Sequence, residues 1–529
     1  MNITNFLQNN KLAFYLTLLI IALLTPLAFA PYYQFWLMPV LFAALIYLLQ
    51  TRLEKAVKTA YLFGLVAYTC QFYWVHTALH DVSGLPNLYA IPLTFLLPAY
   101  LAIFPALAVW LWRKCRVPSA DGKTGAWHEI LALPIFWTLA EFARERVLTG
   151  FGWGALGYSQ IADYSPLAGF APLGGIHLVT LITAFFGAGI YVLFMGNRTQ
   201  RLMQTAFLLV LLAIGLVAKN TEFTASTGEK SSVALAQGNI AQSLKFQADQ
   251  FANTVERYFQ QVTESKADIV VLPETAIPAM LQDLPADLIP ALAIQAQQNG
   301  SALAVGVARY TDDKQGYFNA MLNLSDLNLT RENWQSLNPE QIEFYAKNHL
   351  VPFGEYKPLP FLTEPLYRMM NMPLADFQRG GASQKPFVMH KQKVAFNICY
   401  EDGFGDELIG SAKQSTLLAN ASNMAWYGDS NAMYQQLQQS QARALELGRF
   451  MVRATNTGAT AIVNHQGKVL QQLPINTTAV LTGEIEGRTG ETPYMKIGSS
   501  YPLMMLLAVC GVLLWFKSRK SCENAANKQ

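Results

Sequence analysis

Charge is scarce in this chain of 529 residues: Asp, Glu, Lys and Arg make up 14%, against about 25% in an ordinary soluble protein. With 52% hydrophobic residues and a mean hydropathy of +0.21, that scarcity excludes a disordered chain, a coiled coil and a fully water-soluble enzyme. Histidine is sparse as well, at 7, and no His/Cys cluster has metal-ligand spacing. No phosphate-cradling Gly motif is present, so no metal or other cofactor is expected. Internal repeats are missing, and the polar tail 517–529 is the one low-complexity tract. The net charge of +3 leaves no footprint for nucleic acid. Single-domain cores stop growing near about 250–300 residues, so two or three folding units are expected.

What the chain does have is long apolar runs. Crossing a bilayer takes about 20 apolar residues, and seven candidates precede residue 220, at about 12–30, 33–50, 60–78, 88–112, 130–148, 170–195 and 203–218. An eighth lies at about 498–516, and the stretch 219–497 holds none. The first run continues through TPLAFAPYYQFW into another apolar segment, which reads as a span rather than a cleavable leader. The expected layout is a membrane domain over 1–218 with seven transmembrane helices, an outer domain over 219–497, an eighth helix over 498–516 and a tail over 517–529.

Lys and Arg in short loops set orientation. With the N-terminus in the cytoplasm, Arg52, Lys55 and Lys58, then Arg113, Lys114, Arg116 and Lys123, then Arg198 and Arg201, and finally the tail lysines and Arg519 all fall inside. Only Arg144 and Arg146, at the end of the fifth run, are misplaced. Eight spans with both termini cytoplasmic therefore place 219–496 outside the membrane. That stretch carries 22 basic and 27 acidic residues, and the remainder 16 and 8. The basic balance thus belongs to loops facing anionic lipid, and the outer domain is mildly acidic.

Within the outer domain, strand patterns at 232–237, 268–272, 302–308, 393–398, 416–420, 460–464 and 478–485 alternate with helical patterns at 252–265, 285–299 and 430–448. Such alternation predicts a layered α/β sandwich. Of five cysteines, Cys399 alone lies on this side of the membrane, in FNICYEDGFG, at the junction of an apolar strand with a Gly-rich acidic turn. A small buried hydrophobe is the plain alternative. A strand-to-turn junction, however, can hold a nucleophile rigidly yet reachable, and a nucleophilic Cys needs a base or cation nearby. His349, His390 and His465 are candidate bases, but His390 reads as a surface turn residue. VVLPETAIP, with Glu274 at the tip of a buried strand, and YAKNHLVPFGEYKP, with Lys347 and Glu355, supply better groups. A tuned Glu can take the thiol proton, and a fixed ammonium can stabilise a thiolate and then an oxyanion.

The runs around Glu274, Lys347 and Cys399, in that order, resemble the nitrilase superfamily of carbon–nitrogen hydrolases. RALELGRFMVRATN and NTGATAIVNHQGKV extend the likeness over the outer domain. With eight spans, QGNIAQSLKF and GFGWGALGYSQ, the chain resembles that superfamily's membrane-embedded branch, the apolipoprotein N-acyltransferases. The resemblance implies an α-β-β-α sandwich outside the bacterial inner membrane, Cys399 as nucleophile, Glu274 as general base and Lys347 as oxyanion-stabilising cation. It implies supporting roles for Glu355, Tyr400 and Glu401, whereas Asp402 reads equally well as a solvated turn residue. It also implies a phospholipid acyl donor, usually phosphatidylethanolamine, a diacylated apolipoprotein acceptor, a thioester intermediate and a monomer.

Trp426 and Tyr427 fit a loop beside the pocket, and Trp153 and Tyr158 read as interfacial belt anchors. Phe246 stands where the family usually has Trp, and Met424 where it usually has Asp. A membrane-anchored amidase or nitrilase is the alternative activity. A transporter or scaffold with an inactive domain would need paired polar residues in several spans, and His76, His177 and Glu141 are the main ones.

Overall fold

The computed structural model describes residues 3–116, 127–148, 150–330, 332–367 and 376–526. They divide into two compact units: Met1–Tyr73 with Ile91–Thr221 and Lys496–Gln529, and Trp74–Ala90 with Glu222–Met495.

The first unit is helical. Helices lie under each apolar stretch of the sequence: Lys11–Leu24, Leu37–Thr51, Ala56–Gln71, Asn87–Leu101 followed by Ile103–Cys115, Trp127–Arg144, Ala171–Met195, Arg198–Lys219 and Ser500–Ala526. Among the described residues, four helical stretches are long and apolar enough to cross a membrane, or up to five if Leu37–Thr51 and Leu53–Gln71, bent by 109°, form one span. Small residues let these helices approach closely: a Cβ on Gly187 would stand 2.7 Å from the Phe42 ring. Asn197 and Gln200 close a capping box at the start of Arg198–Lys219, satisfying two orphan N–H groups.

Two expectations change here. Trp153 and Tyr158 are buried, at 3% and 2% exposure, and Arg144 Nη1 donates to the Trp153 carbonyl at 2.7 Å. They are interior packing residues, not belt anchors. The third apolar run, read as 60–78, ends as a helix at Gln71. Residues Trp74–Ala90 belong to the second unit, so His76 lies outside any span. Paired polar residues do occur within the helical unit: Glu141 accepts from Trp137 Nε1, Leu156 N and Thr180 Oγ1, and Glu145 pairs with His177 at 3.0 Å.

The second unit is built on two sheets, whose strands among the described residues are β1 (Ala225–Gln237), β2 (Ile269–Val271), β3 (Ile277–Met280), β4 (Ala302–Tyr310), β5 (Tyr317–Asn323), β6 (Phe344–Ala346), β7 (Phe387–Met389), β8 (Gln392–Ile398), β9 (Leu417–Ser422), β10 (Phe450–Thr455), β11 (Ala461–Val463), β12 (Val469–Gln472) and β13 (Ala479–Thr489). One sheet runs β13-β1-β2-β4-β5-β6, with β3 paired to β4; the other runs β12-β11-β10-β9-β8-β7. In each, the central pairs β1-β2-β4 and β8-β9-β10 are parallel. Parallel strands covered on both faces become continuous apolar runs, as IVV in β2 shows.

Val233, Val271 and Met321 of one sheet pack against Phe396, Ala419 and Val452 of the other. Helices Ala248–Glu264 and Leu288–Gln298 cover the first sheet through Tyr258, Val262, Ile289 and Leu292. Helices Gly405–Lys413 and Ala432–Leu447 cover the second through Leu408, Ala412, Leu437 and Ala444. The unit is an α-β-β-α sandwich, the layered fold expected. Helix Ala432–Leu447 stops at Gly448, whose φ of +58° makes the left-handed cap that favours glycine.

Candidate active site

Strand ends carry the site. β2 runs into Pro273 and Glu274, β6 into Lys347 and β8 into Cys399. β2 and β8 are parallel-paired strands of the two sheets, and β6 pairs antiparallel with β5. Cys399 begins a tight turn, Cys399–Gly403, with φ of +54°. A non-glycine residue in this left-handed region is uncommon and strained, and such strain concentrates at functional sites.

The structure brings Glu274, Lys347 and Glu355 together. Lys347 Nζ stands 2.9 Å from Glu355 Oε1 and 3.5 Å from Glu274 Oε1. Asn319 Nδ2 donates to both same oxygens, at 2.7 Å to Glu274 and 2.9 Å to Glu355. The outer oxygens take backbone donors, Asn423 N on Glu274 Oε2 at 2.7 Å and Val351 N on Glu355 Oε2 at 2.8 Å. All three charged groups are buried, and buried charge persists only when paired and hydrogen-bonded. Burial alone would lower the Lys347 ammonium, but Glu355 and Glu274 outweigh it and hold it well above its ordinary range.

Cys399 is partly buried, and its thiol feels the same charges. Burial pushes it up to about 12, with Glu274 adding to the rise and Lys347 opposing it. A second lysine completes the pocket. Lys245 is 1% exposed and donates to the Glu274 carbonyl at 3.2 Å. Burial lowers it to about 8, against the pull of Glu274 and Cys399.

The turn after Cys399 is tied down by Glu401. Its Oε2 accepts from Ile398 N at 2.6 Å and Tyr345 OH at 2.9 Å. Its Oε1 accepts from Asn348 N at 2.7 Å and His349 N at 3.1 Å. One carboxylate thereby joins the nucleophile turn to the segment that carries Lys347. Burial pushes Glu401 up to about 7, while these backbone donors pull it down. Asp402 is fully buried and pairs with Arg453 at 3.0 Å, so it is no solvated turn residue. Tyr400 is buried beside Phe404.

The aromatic residues separate. Tyr427 and Trp426 lie on a short turn, Ala425–Tyr427, and Tyr427 meets the edge of Trp74 at 4.6 Å between ring centres. The Tyr427 hydroxyl is raised by burial first and by the Cys399 charge next. Phe246 is 37% exposed, and Met424 is fully buried. The three histidines take carboxylates elsewhere: His349 faces Glu407, His390 faces Asp268 and His465 faces Glu222.

Asn319, Asn423, Lys245 and Arg453 did not stand out in the sequence. Two of them were in plain view, Lys245 in QGNIAQSLKF and Arg453 in RALELGRFMVRATN. The asparagines carry no signal of their own in a single sequence. Among the described residues, no group of three or more His, Cys, Asp and Glu side chains converges as a metal site.

Residues 232–494 match the carbon-nitrogen hydrolase family, and residues 21–189 match the apolipoprotein N-acyltransferase N-terminal domain. Fold and matches together define a membrane protein that carries a carbon–nitrogen hydrolase domain. Apolipoprotein N-acyltransferase of Neisseria meningitidis serogroup B is 60% identical, over 95% of this chain and 96% of that protein. The protein of the same name from Chromobacterium violaceum is 46% identical, over 93% and 90%. The chain belongs to the apolipoprotein N-acyltransferase family. Among solved structures, the C. elegans NitFhit protein is 16% identical with a TM-score of 0.35, covering 51% of this chain and 63% of that one.

Proposed function

We propose that this chain transfers a fatty acyl chain from a phospholipid, phosphatidylethanolamine above all, to the α-amino group of the S-diacylglyceryl cysteine of an apolipoprotein. The observation that carries this reading is the buried Lys347 held between Glu355 and Glu274, acting on the strained Cys399 of a chain whose near relatives bear the acyltransferase name.

Glu274 takes the Cys399 proton, and the sulfur attacks the ester carbonyl of the phospholipid. Lys347 and the Tyr400 N–H stabilise the oxyanion, and Glu355 holds Lys347. The C–O bond breaks, the lysophospholipid oxygen takes the proton from Glu274, and a thioester remains. The acceptor amine then attacks the thioester carbonyl and Glu274 takes a proton from that nitrogen; the C–S bond breaks, Glu274 returns the proton to sulfur, and the amide leaves. A thioester stays reactive toward amines, and the kinetics are ping-pong. Phe246, Trp426 and Tyr427 form apolar walls that exclude water from the acyl-enzyme.

The setting of this reading is the bacterial inner membrane. Eight spans, both termini in the cytoplasm and the catalytic domain on the periplasmic face follow from the basic loops. Domain limits at 218, 497 and 516 go with it, and the enzyme acts as a monomer. The test supplies phospholipid and a diacylated lipopeptide to the purified protein. A triacylated peptide and a lysophospholipid are the expected products, with the acyl group trapped on the Cys399 peptide. Release of free fatty acid without peptide acylation would instead indicate a membrane-anchored hydrolase.

A further inference from the structure

One guanidinium orients two carboxamides toward Cys399. Arg453, fully buried in β10, donates Nη1 to Asn420 Oδ1 at 2.9 Å and Nη2 to Gln436 Oε1. A guanidinium only donates, so both amides must turn their oxygens toward it and their NH2 groups away. Those NH2 groups then meet the same residue. Gln436 Nε2 lies 3.8 Å from Cys399 Sγ, and Asn420 Nδ2 lies 3.3 Å from the Cys399 carbonyl oxygen. Asp402 Oδ2 accepts from the same Nη1 at 3.0 Å and fixes the guanidinium. Gln436 is 1% exposed, and Asn420 and Asp402 are fully buried.

We propose that Gln436 is a catalytic hydrogen-bond donor to the Cys399 sulfur, with Arg453 as the positioning residue that aims it. This rests on Cys399 being the nucleophile. The chemistry needs such a donor. The groups that face the sulfur are Glu274 and Glu355, which disfavour its anion, Lys347 and Arg453, which favour it, and the neighbouring Lys245 and Tyr427. Lys347 is already engaged by both carboxylates, so an anion forming on sulfur needs a further partner. An amide N–H polarised by a buried cation supplies it, since a donor shared with an ionised group is stronger than a neutral one. The second amide has a different task. The N–H of Asn420 grips the carbonyl of a residue whose φ is +54°, and holds the strained turn that presents the sulfur.

Gln436→Leu removes the donor. Gln436→Glu keeps the length and the bond to Arg453 but turns an acceptor toward sulfur. Alkylation of Cys399 in the full-length protein is followed by mass on the Cys399 peptide, with iodoacetamide and with bulkier N-ethylmaleimide. The expected result is a rate about tenfold lower for Gln436→Leu at every pH between about 7 and 9, equivalent to about one pKa unit. The drop is larger for Gln436→Glu and the same for both reagents. Thermal melting of each variant reports folding, and if Gln436→Leu fails to fold, Gln436→Glu decides.

Wild-type alkylation rates in a folded Gln436→Glu variant would overturn the proposal, as would a drop seen with the bulkier reagent alone, which would mean altered access. The parent reading fails separately, if Cys399→Ser keeps full acyl transfer. Wild-type alkylation of the Gln436 variants beside an inactive Cys399→Ser would sink only the role given to Gln436.

Discussion

Lys347 stands 2.9 Å from Glu355 but 3.5 Å from Glu274, so its charge is neutralised mainly by Glu355, the carboxylate not proposed as the base. Division of labour between two acids beside one ammonium follows. Glu355, with Val351 N and Asn319 on its oxygens, is a fixed counter-ion. Glu274 shares the same cation more weakly, as suits the base proposed for the thiol proton.

Glu355→Gln should therefore damage both stability and rate. Removing one member of a buried pair typically costs about 3–5 kcal/mol, because the remaining charge is left without its partner. Here Glu274 still faces Lys347, so the loss should sit at the low end. Thermal melting of the purified protein measures it. Turnover should fall about a hundredfold or more, as for loss of a group that fixes oxyanion stabilisation. Melting unchanged from wild type would contradict the pairing.

A glycine on β4 lies directly against the backbone of Glu274. A Cβ on Gly306 would collide with the Pro273 carbonyl and stand 2.9 Å from Glu274 Cα. Gly306→Ala must push the β2 exit away from β4, although no Gly306 atom takes part in the chemistry. A misplacement of about 1 Å can cost a hundredfold in rate. Acyl transfer should drop by about that factor, and melting should fall by at least the usual overpacking cost of about 1–3 kcal/mol, because the atoms met are all backbone. Full activity in Gly306→Ala would show that the Glu274 backbone has room to spare.

Glu401 acts as a knot rather than a reagent. Each of its four partners, Ile398 N, Tyr345 OH, Asn348 N and His349 N, donates to it. Glu401→Gln is close to isosteric, yet its NH2 must face an N–H or O–H donor. One or two buried donors then go unpaired, at about 1–3 kcal/mol each. The expected outcome is a lower melting temperature together with reduced transfer. Glu401→Asp, which keeps the charge but shortens the reach, should recover part of the stability and little of the rate.

The sandwich was readable because its central strands are apolar on both faces and its helices repeat at helical spacing. β10 escaped the strand list because Arg453 interrupts FMVRAT, and in a single sequence a buried arginine looks like a surface one. β5 escaped for a similar reason, since Asn319 and Asn323 break its apolar pattern. Glu274, Lys347, Glu355 and Cys399 were legible from the strand ends and the resemblance. The amides that orient them were not, because an Asn or Gln gains meaning only from what it faces. Asp402 shows the same limit: an acidic residue in a Gly-rich turn reads as solvated until Arg453 is found beneath it.

The nucleophile should be a thiol, not a preformed thiolate, at neutral pH. Burial and Glu274 push Cys399 up to about 12, far above a free thiol's value near 8.5. Only a small fraction is ionised near pH 7, so alkylation by a neutral haloacetamide should rise about tenfold per pH unit from about 7 to 10, without a plateau. A Cys–His ion pair would instead give a plateau already reached below about pH 7. A raised pKa means that the folded state holds its proton more tightly than the unfolded one. Its contribution to stability is complete below the unfolded value and is lost as pH climbs toward the folded one. Above about pH 9, wild type should thus lose stability faster than Cys399→Ala, as seen in melting temperature against pH. With Glu274 as the proposed base, the first half-reaction should slow in heavy water, while Cys399→Ala should show no reaction at all.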